Sequence, residues 1–451
     1  MISIVRRSQF LITAILALAC WLYGGSAQAV PSFSRQTGMA CASCHTNSFG
    51  PNLTPFGRKF KLDGYTFGGD GEGPLTKGVP PISAMLMGSF THTQKNQPRQ
   101  PVTGPSSPAF NGNNNFAMDQ ASVFYAGRVY GPVGAFAQFT YDGVGNTVAV
   151  DNIDIRGAGK ADLWGHTLNY GVSLNNSPTV QDLWNTTPAW GFPFASSPIA
   201  PSPDASPLIS NLGQQVGGAS LYGMFDNLVY LEAGGYGNWS PGTQKNMGVW
   251  SPDNPALSGA APYWRIALQH AWEGQYIELG TFGLQADTYA DRYTHSAGTN
   301  QYTDLGADIT YQYLGNMDHI VQFRGSYIRE NQRLHGSQSL GGAAKNSVML
   351  NTLNLNASYT YEQTYTGSFG FFDISGTSDA LLYADNASFN PNSQGFITEV
   401  DYVPFGKSTS LWQPWLNLRL GLQYVAYTQF NGTAANAGNN NTLYLNGWLA
   451  F

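Results

Sequence analysis

The chain closes with Asn441-Thr442-Leu443-Tyr444-Leu445-Asn446-Gly447-Trp448-Leu449-Ala450-Phe451. Side chains of an extended segment alternate between two faces. Leu443, Leu445, Gly447, Leu449 and Phe451 therefore share one face, and Tyr444, Asn446 and Trp448 share the other. A tilted strand that crosses a bilayer needs about 9–11 residues with this period of two, apolar towards lipid. An aromatic last residue on such a strand is the usual ending of an outer-membrane barrel.

The same theme runs back through the sequence. Ala121-Val123-Tyr125-Gly127-Val129, Val133-Ala135-Ala137-Phe139-Tyr141 and Val321-Phe323-Gly325-Tyr327 are further faces of this kind. Stretches with this period lie near 82–94, 116–130, 133–143, 148–163, 166–176, 214–225, 228–239, 262–272, 275–290, 301–314, 318–334, 347–362, 365–376, 393–405, 411–430 and 441–451. That is about sixteen strands, an even number as in single-chain outer-membrane barrels. Tight links such as Gly131-Pro132, Trp164-Gly165, Asp226-Asn227, Glu273-Gly274 and Gln363-Thr364 alternate with long polar ones, for instance 95–115, 177–213 and 240–261. Short periplasmic turns and long outer loops are the expected asymmetry, and it puts both ends of the barrel in the periplasm. The Pro/Ser-rich piece from Pro188 to Pro207 reads either as a long outer loop or as a constriction of the lumen.

Composition agrees. Only 11% of the 451 residues are charged, against about 25% in ordinary soluble proteins. Fifty-three Gly and a 14% aromatic content fill the gap, which suits a large β-structure and argues against disorder. With 21 Lys+Arg against 27 Asp+Glu there is no basic surface for nucleic acid. A soluble β-sandwich or β-helix accounts less well for the aromatic load and the loop alternation.

The first 29 residues read as an export leader: Arg6 and Arg7, an apolar run from Phe10 to Tyr23, and Ala27-Gln28-Ala29 as cleavage site. Cys20 would leave with it. Cys41 and Cys44 then remain, too few for a disulfide scaffold. They stand in Cys41-Ala42-Ser43-Cys44-His45, the C-x-x-C-H attachment pattern of c-type haem. Two thiols three positions apart on one helical turn can each form a thioether with a haem vinyl group, and the adjacent His45 falls under the iron as proximal ligand. A redox-active C-x-x-C would instead sit in a thioredoxin-like βαβ pattern, and none surrounds it.

For the sixth iron ligand, a methionine raises the potential and a second histidine lowers it. Met85 is the first candidate and Met87 the second. Both lie on the Ser83-Met85-Met87-Ser89 face of the first barrel stretch, opposite Ile82-Ala84-Leu86-Gly88-Phe90. Met39 is too close to the attachment helix, and His92 falls on the lipid side. Arg58, Lys59 and Lys61 form a basic cluster that either neutralises haem propionates or is a solvated helix face. The chain thus divides into a leader (1–29), a monohaem cytochrome c domain (30–81) and a barrel (82–451). The middle piece is too small to complete a haem pocket alone, so the barrel is expected to complete it, with the helical domain in or under the lumen.

The run Val30-Pro31-Ser32-Phe33-Ser34-Arg35-Gln36-Thr37-Gly38-Met39-Ala40-Cys41-Ala42-Ser43-Cys44-His45, then Pro55-Phe56-Gly57-Arg58-Lys59-Phe60-Lys61, Gly64-Tyr65-Thr66 and Ser89-Phe90-Thr91-His92-Thr93-Gln94, resembles the fused cytochrome–porins of bacterial outer membranes. The barrel resembles them in architecture only. The resemblance implies one covalent haem c, iron(II) as extracellular electron donor, and a periplasmic c-type cytochrome or similar carrier as acceptor. Iron-oxidising members often carry an aromatic and a second histidine just after the haem motif, where this chain has Thr46-Asn47-Ser48-Phe49. Electron transfer across the outer membrane is the leading expectation, and a haem-plugged diffusion porin without net electron flow is the alternative. A peroxidase-like enzyme finds no acid–base constellation in the sequence.

Overall fold

The computed structural model describes residues 31–67, 81–97, 110–293 and 295–451. The expected leader 1–29 and the glycine-rich half of the expected haem domain at 68–80 lie outside the described residues. Three short helices come first: α1 (Pro31–Thr37), α2 (Cys41–Cys44) and α3 (Pro55–Leu62). The strands follow as β1 (Ile82–Thr93), β2 (Asn114–Tyr130), β3 (Val133–Asp142), β4 (Thr147–Leu163), β5 (His166–Asn175), β6 (Val216–Phe225), β7 (Val229–Asn238) and β8 (Ala256–Leu257). The second half is β9 (Ala261–Trp272), β10 (Gln275–Tyr289), β11 (Thr299–Tyr313), β12 (His319–Arg333), β13 (Ser347–Tyr361), β14 (Tyr365–Gly376), β15 (Ser393–Tyr402), β16 (Asn417–Gln429) and β17 (Thr442–Ala450). β8 is a two-residue spur on β10. The other sixteen strands form a closed antiparallel barrel, in which β1 pairs with both β2 and β17.

The period of two is the physical cause of this fold. In β9, Tyr263, Arg265, Ala267 and Gln269 point inward and are buried, while Trp264, Ile266 and Leu268 point outward at 36%, 44% and 51% exposure. Outward apolar faces of this kind belong in lipid. At the tight turns the outward positions become aromatic: Tyr130, Trp164, Trp272, Tyr313, Tyr361 and Tyr402 are all exposed there. Such a belt marks the membrane–water interface. Glu273 and Gly274, at φ 42° and 77°, make the left-handed two-residue turn whose twist matches its strands. The chain is an outer-membrane β-barrel of porin type.

Two segments fill the lumen. Residues 31–67 enter from the tight-turn end, and the link between β5 and β6 folds inward from the other, so of the two readings open for Pro188 to Pro207 the lumen constriction is the one observed. The inward residues Arg156, Arg265, Arg419, Tyr230, Tyr263 and Tyr444 are each less than 2% exposed. The expected strand 411–430 begins six residues late, at Asn417. Pro414 has no N–H to give a ladder, and residues 403–416 form an extended turn against the N-terminal segment instead.

Candidate functional site

Local chemistry builds the first wall of the site. Thr54 caps α3, its hydroxyl accepting from the Gly57 N–H at 3.2 Å, and Pro55 takes the first helical position. The same hydroxyl donates to the Ser43 carbonyl at 2.7 Å and so ties α3 to α2. A Cβ on Gly57 would run into the Cys44 carbonyl oxygen, so only glycine lets the two helices meet this closely. His45 caps α2, its N–H donating to the Cys41 carbonyl at 2.9 Å, and the chain beyond it returns as a closed loop in which Thr46 N–H reaches the Asn52 carbonyl at 3.0 Å.

The barrel grips this unit from several strands. Gln363 Nε2 donates to the carbonyls of Ala42 (2.8 Å) and His45 (3.1 Å). Asn417 Nδ2 donates to the Ser48 carbonyl at 2.7 Å. Arg324 Nη1 donates to Asn52 Oδ1 at 2.7 Å. From the lumen segment, Asn185 Nδ2 donates to the Pro51 carbonyl at 2.8 Å.

Between the helices and the barrel wall lies a cavity of about 460 Å³, within the range of roughly 300–1,000 Å³ usual for small-molecule and cofactor pockets. Cys41, Cys44 and His45 line it, and so does Met85 from β1. Aromatic rings supply much of the remaining wall, among them Phe33, Phe49, Phe124, Trp190 and Trp448. Both cysteines are free. Burial pushes the Cys41 thiol up to about 11, and burial with Cys41 as neighbour pushes the Cys44 thiol up to about 12. Burial likewise lowers His45 to about 4, against the favourable backbone of Gly50 and Asn52. His45 Nδ1 is buried and finds no hydrogen-bond partner of ordinary geometry among the described residues. Two uncharged free thiols on one helical turn, a neutral imidazole beside them, a thioether on the same cavity and apolar walls form a donor set that fits haem c.

The candidates separate here. Met85 (4% exposed) and Met87 (7%) both point inward, as the alternation requires, while Ile82 and Leu86 point out. Only Met85 of the two lines the cavity; Met87 packs against Ala195 and Tyr444. Met39 lines it as well. Of the basic cluster, Lys61 lines the cavity and Arg58 and Lys59 do not. Lys59 is exposed and pairs with Asp63 at 2.5 Å. Arg58 lies 3.8 Å from the centre of the Tyr276 ring and donates to Gln312. The Lys61 ammonium donates to the carbonyls of Val180 and Asp182 and to Asn185 Oδ1, at 2.9, 2.5 and 2.9 Å.

Solved outer-membrane channels have a similar barrel. DcaP of Acinetobacter baumannii is 12% identical over 82% of this chain and 97% of its own, with a TM-score of 0.44. Salmonella typhi OmpF, in complex with daunomycin, is 12% identical over the same shares, with a TM-score of 0.45. Pseudomonas putida OprB is 11% identical over 82% and 94%, with a TM-score of 0.42. No protein-family model and no curated protein matches the chain. The barrel assignment therefore stands on the strand pairing itself, and the chemistry of the cavity on its own residues.

Contributors to the site that escaped the sequence reading include Trp448, Trp190 and the turn 403–416. For Trp448 a signal was present, since a large indole on the inward face of the last strand is out of place in a water-filled lumen. Nothing local marked Trp190 or the turn.

Proposed function

We propose that this protein transfers electrons across the outer membrane, taking them from extracellular iron(II) and delivering them to a periplasmic c-type cytochrome. Cys41 and Cys44 would hold one haem c as thioethers, His45 would be the proximal iron ligand and Met85 the distal one. Haem c supplies a one-electron iron couple when bound. The chain's own work is to place that couple and shield it. Gly57, Thr54 and Gln363 hold the attachment helix still. Phe33, Phe49 and Trp448 give the cavity apolar walls. The barrel's outward face keeps the whole assembly in an insulating bilayer. Entry of residues 31–67 from the tight-turn end leaves that end for the periplasmic acceptor.

One observation carries this reading: four side chains with the donor chemistry of a haem c site line a single cavity inside the barrel. Stopped-flow absorbance of the oxidised, detergent-solubilised protein mixed with iron(II) tests it. Rapid appearance of sharp α and β bands is the expected result. A haem spectrum that iron(II) leaves unchanged would discard the donor, and a protein without covalent haem would sink the reading altogether.

The porin-type barrel favours a second reading, a diffusion porin in which the N-terminal segment gates without net electron flow. Proteoliposomes separate the two, because a porin admits small sugars and an electron conduit does not.

A further inference from the structure

We propose that Trp448 is the positioning residue for the Met85 thioether, fixing the direction of the sulfur and weakening it as an electron donor to iron; the inference rests on reading the cavity as a haem c site. β1 and β17 pair antiparallel with Met85 opposite Ala450 and Met87 opposite Trp448. Met85 and Trp448 are therefore diagonal neighbours on the inward face, within reach of long side chains. The indole Nε1–H of Trp448 donates to Met85 Sδ, and both residues line the cavity with Cys41, Cys44 and His45.

The indole is itself held. Phe49 meets it edge-on, ring centres 5.0 Å apart at 76°, and the Arg419 guanidinium lies 5.9 Å from its centre. A methionine alone is a poor fixed ligand, since its unbranched chain adapts to whatever surrounds it. A single donor on a clamped ring removes that freedom. Tryptophan N–H can only donate, and when buried it needs an acceptor; here the sulfur serves. A thioether sulfur has two lone pairs. With one accepting the indole hydrogen, the other is left for iron, and the hydrogen bond draws electron density from it. A weaker sulfur donor stabilises iron(III) less than iron(II), which raises the potential, in keeping with the tuning of metal sites by hydrogen bonds to their ligands.

Trp448→Phe keeps an aromatic ring and removes the N–H. The measurements are the near-infrared sulfur-to-iron(III) charge-transfer band and the reduction potential of the full-length, haem-loaded protein. The proposal expects the band in the wild type, a shifted band in the variant, and a potential lower than that of the wild type. An unchanged band and potential would overturn it. A wild type without the sulfur band but with a c-type haem spectrum would also overturn it, leaving the haem site intact. A wild type with no covalent haem would remove the reading underneath. Should Trp448→Phe fail to assemble, benzothienylalanine placed at 448 by codon suppression replaces the N–H with sulfur in a ring of the same shape, and the same outcomes decide.

Discussion

Asp182 Oδ1 and Arg265 Nη2 lie 3.3 Å apart with neither side chain exposed to solvent. Asp182 belongs to the lumen segment and Arg265 to β9, so this pair fastens the inner plug to the barrel wall. Arg265 also reaches Asp308 at 2.7 Å and Glu278 at 3.2 Å. Asp182 in turn accepts from the backbone N–H groups of Trp184, Thr186 and Thr187 at 3.0, 2.9 and 3.1 Å. Burial by itself would raise the Asp182 carboxyl, but Arg265, Lys61 and these hydrogen bonds outweigh it and hold it down at about 2. A carboxyl depressed on folding contributes stability that is complete above its ordinary range near 3.9 and lost as pH falls through the lower value. The contribution is about 2–3 kcal/mol. Planar-bilayer conductance should therefore stay low at neutral pH and rise between about pH 4 and pH 2. Asp182→Asn should leak already at pH 7 and show a flatter acid response.

Gly57 sets how closely α3 approaches α2. Gly57→Ala places a methyl group against the Cys44 carbonyl oxygen, and the helices must part. Overpacking of this kind costs about 1–3 kcal/mol. Covalent haem per barrel, measured by haem staining of denaturing gels against total protein, should fall in Gly57→Ala. Barrel yield should not, because the atoms nearest to an added Cβ all belong to Cys44 of α2.

Met85 and Met87 are two residues apart on one inward face, yet only Met85 lines the cavity. Met85→Ala should change the reduced spectrum and the potential. Met87→Ala should keep the sulfur ligand and its charge-transfer band while losing about 2–5 kcal/mol of packing against Ala195, Tyr444 and Trp448. Identical spectra for the wild type and Met85→Ala would remove Met85 as the distal ligand.

Most of the barrel was legible because lipid outside and a packed lumen inside enforce one period on every strand. The start of β16 was not. Leu411, Trp412 and Trp415 continue an apolar pattern and are exposed, but they belong to an interfacial turn whose role is set by distant partners. Cys41, Cys44 and His45 stood out because the C-x-x-C-H pattern is one of neighbours in sequence, and the structure places all three on one cavity. Trp448 acts on a residue 363 positions away, and Asn185 on one 134 positions away. Pairings of that kind leave no local pattern, so the site's second wall and the inward fold of the lumen segment emerge only with the closed barrel.

The turn 403–416 gives the last prediction. Gln413 Nε2 donates to Ser34 Oγ at 2.8 Å and to the Met39 carbonyl at 3.2 Å. The Gly406 carbonyl accepts from Ala42 N–H at 3.1 Å, and Asn417 closes the contact at Ser48. These bonds hold residues 34–48 without adding to any strand ladder. In the double variant Gln413→Ala/Asn417→Ala, the buried Ser48 carbonyl loses its donor, at about 1–3 kcal/mol for a group left unsatisfied, while the half-buried Met39 carbonyl keeps the Ser34 hydroxyl. The barrel itself keeps every ladder bond. The variant should therefore retain the heat-modifiable gel shift of a folded barrel while trypsin cuts faster at Arg35 and Lys59 than in the wild type. Mass spectrometry of the released peptides reads the outcome. Equal cleavage in the two proteins would mean that the remaining contacts, Gln363 and Arg324 from the barrel with Lys61 and Asn185 at the lumen segment, suffice to hold the N-terminal unit in place.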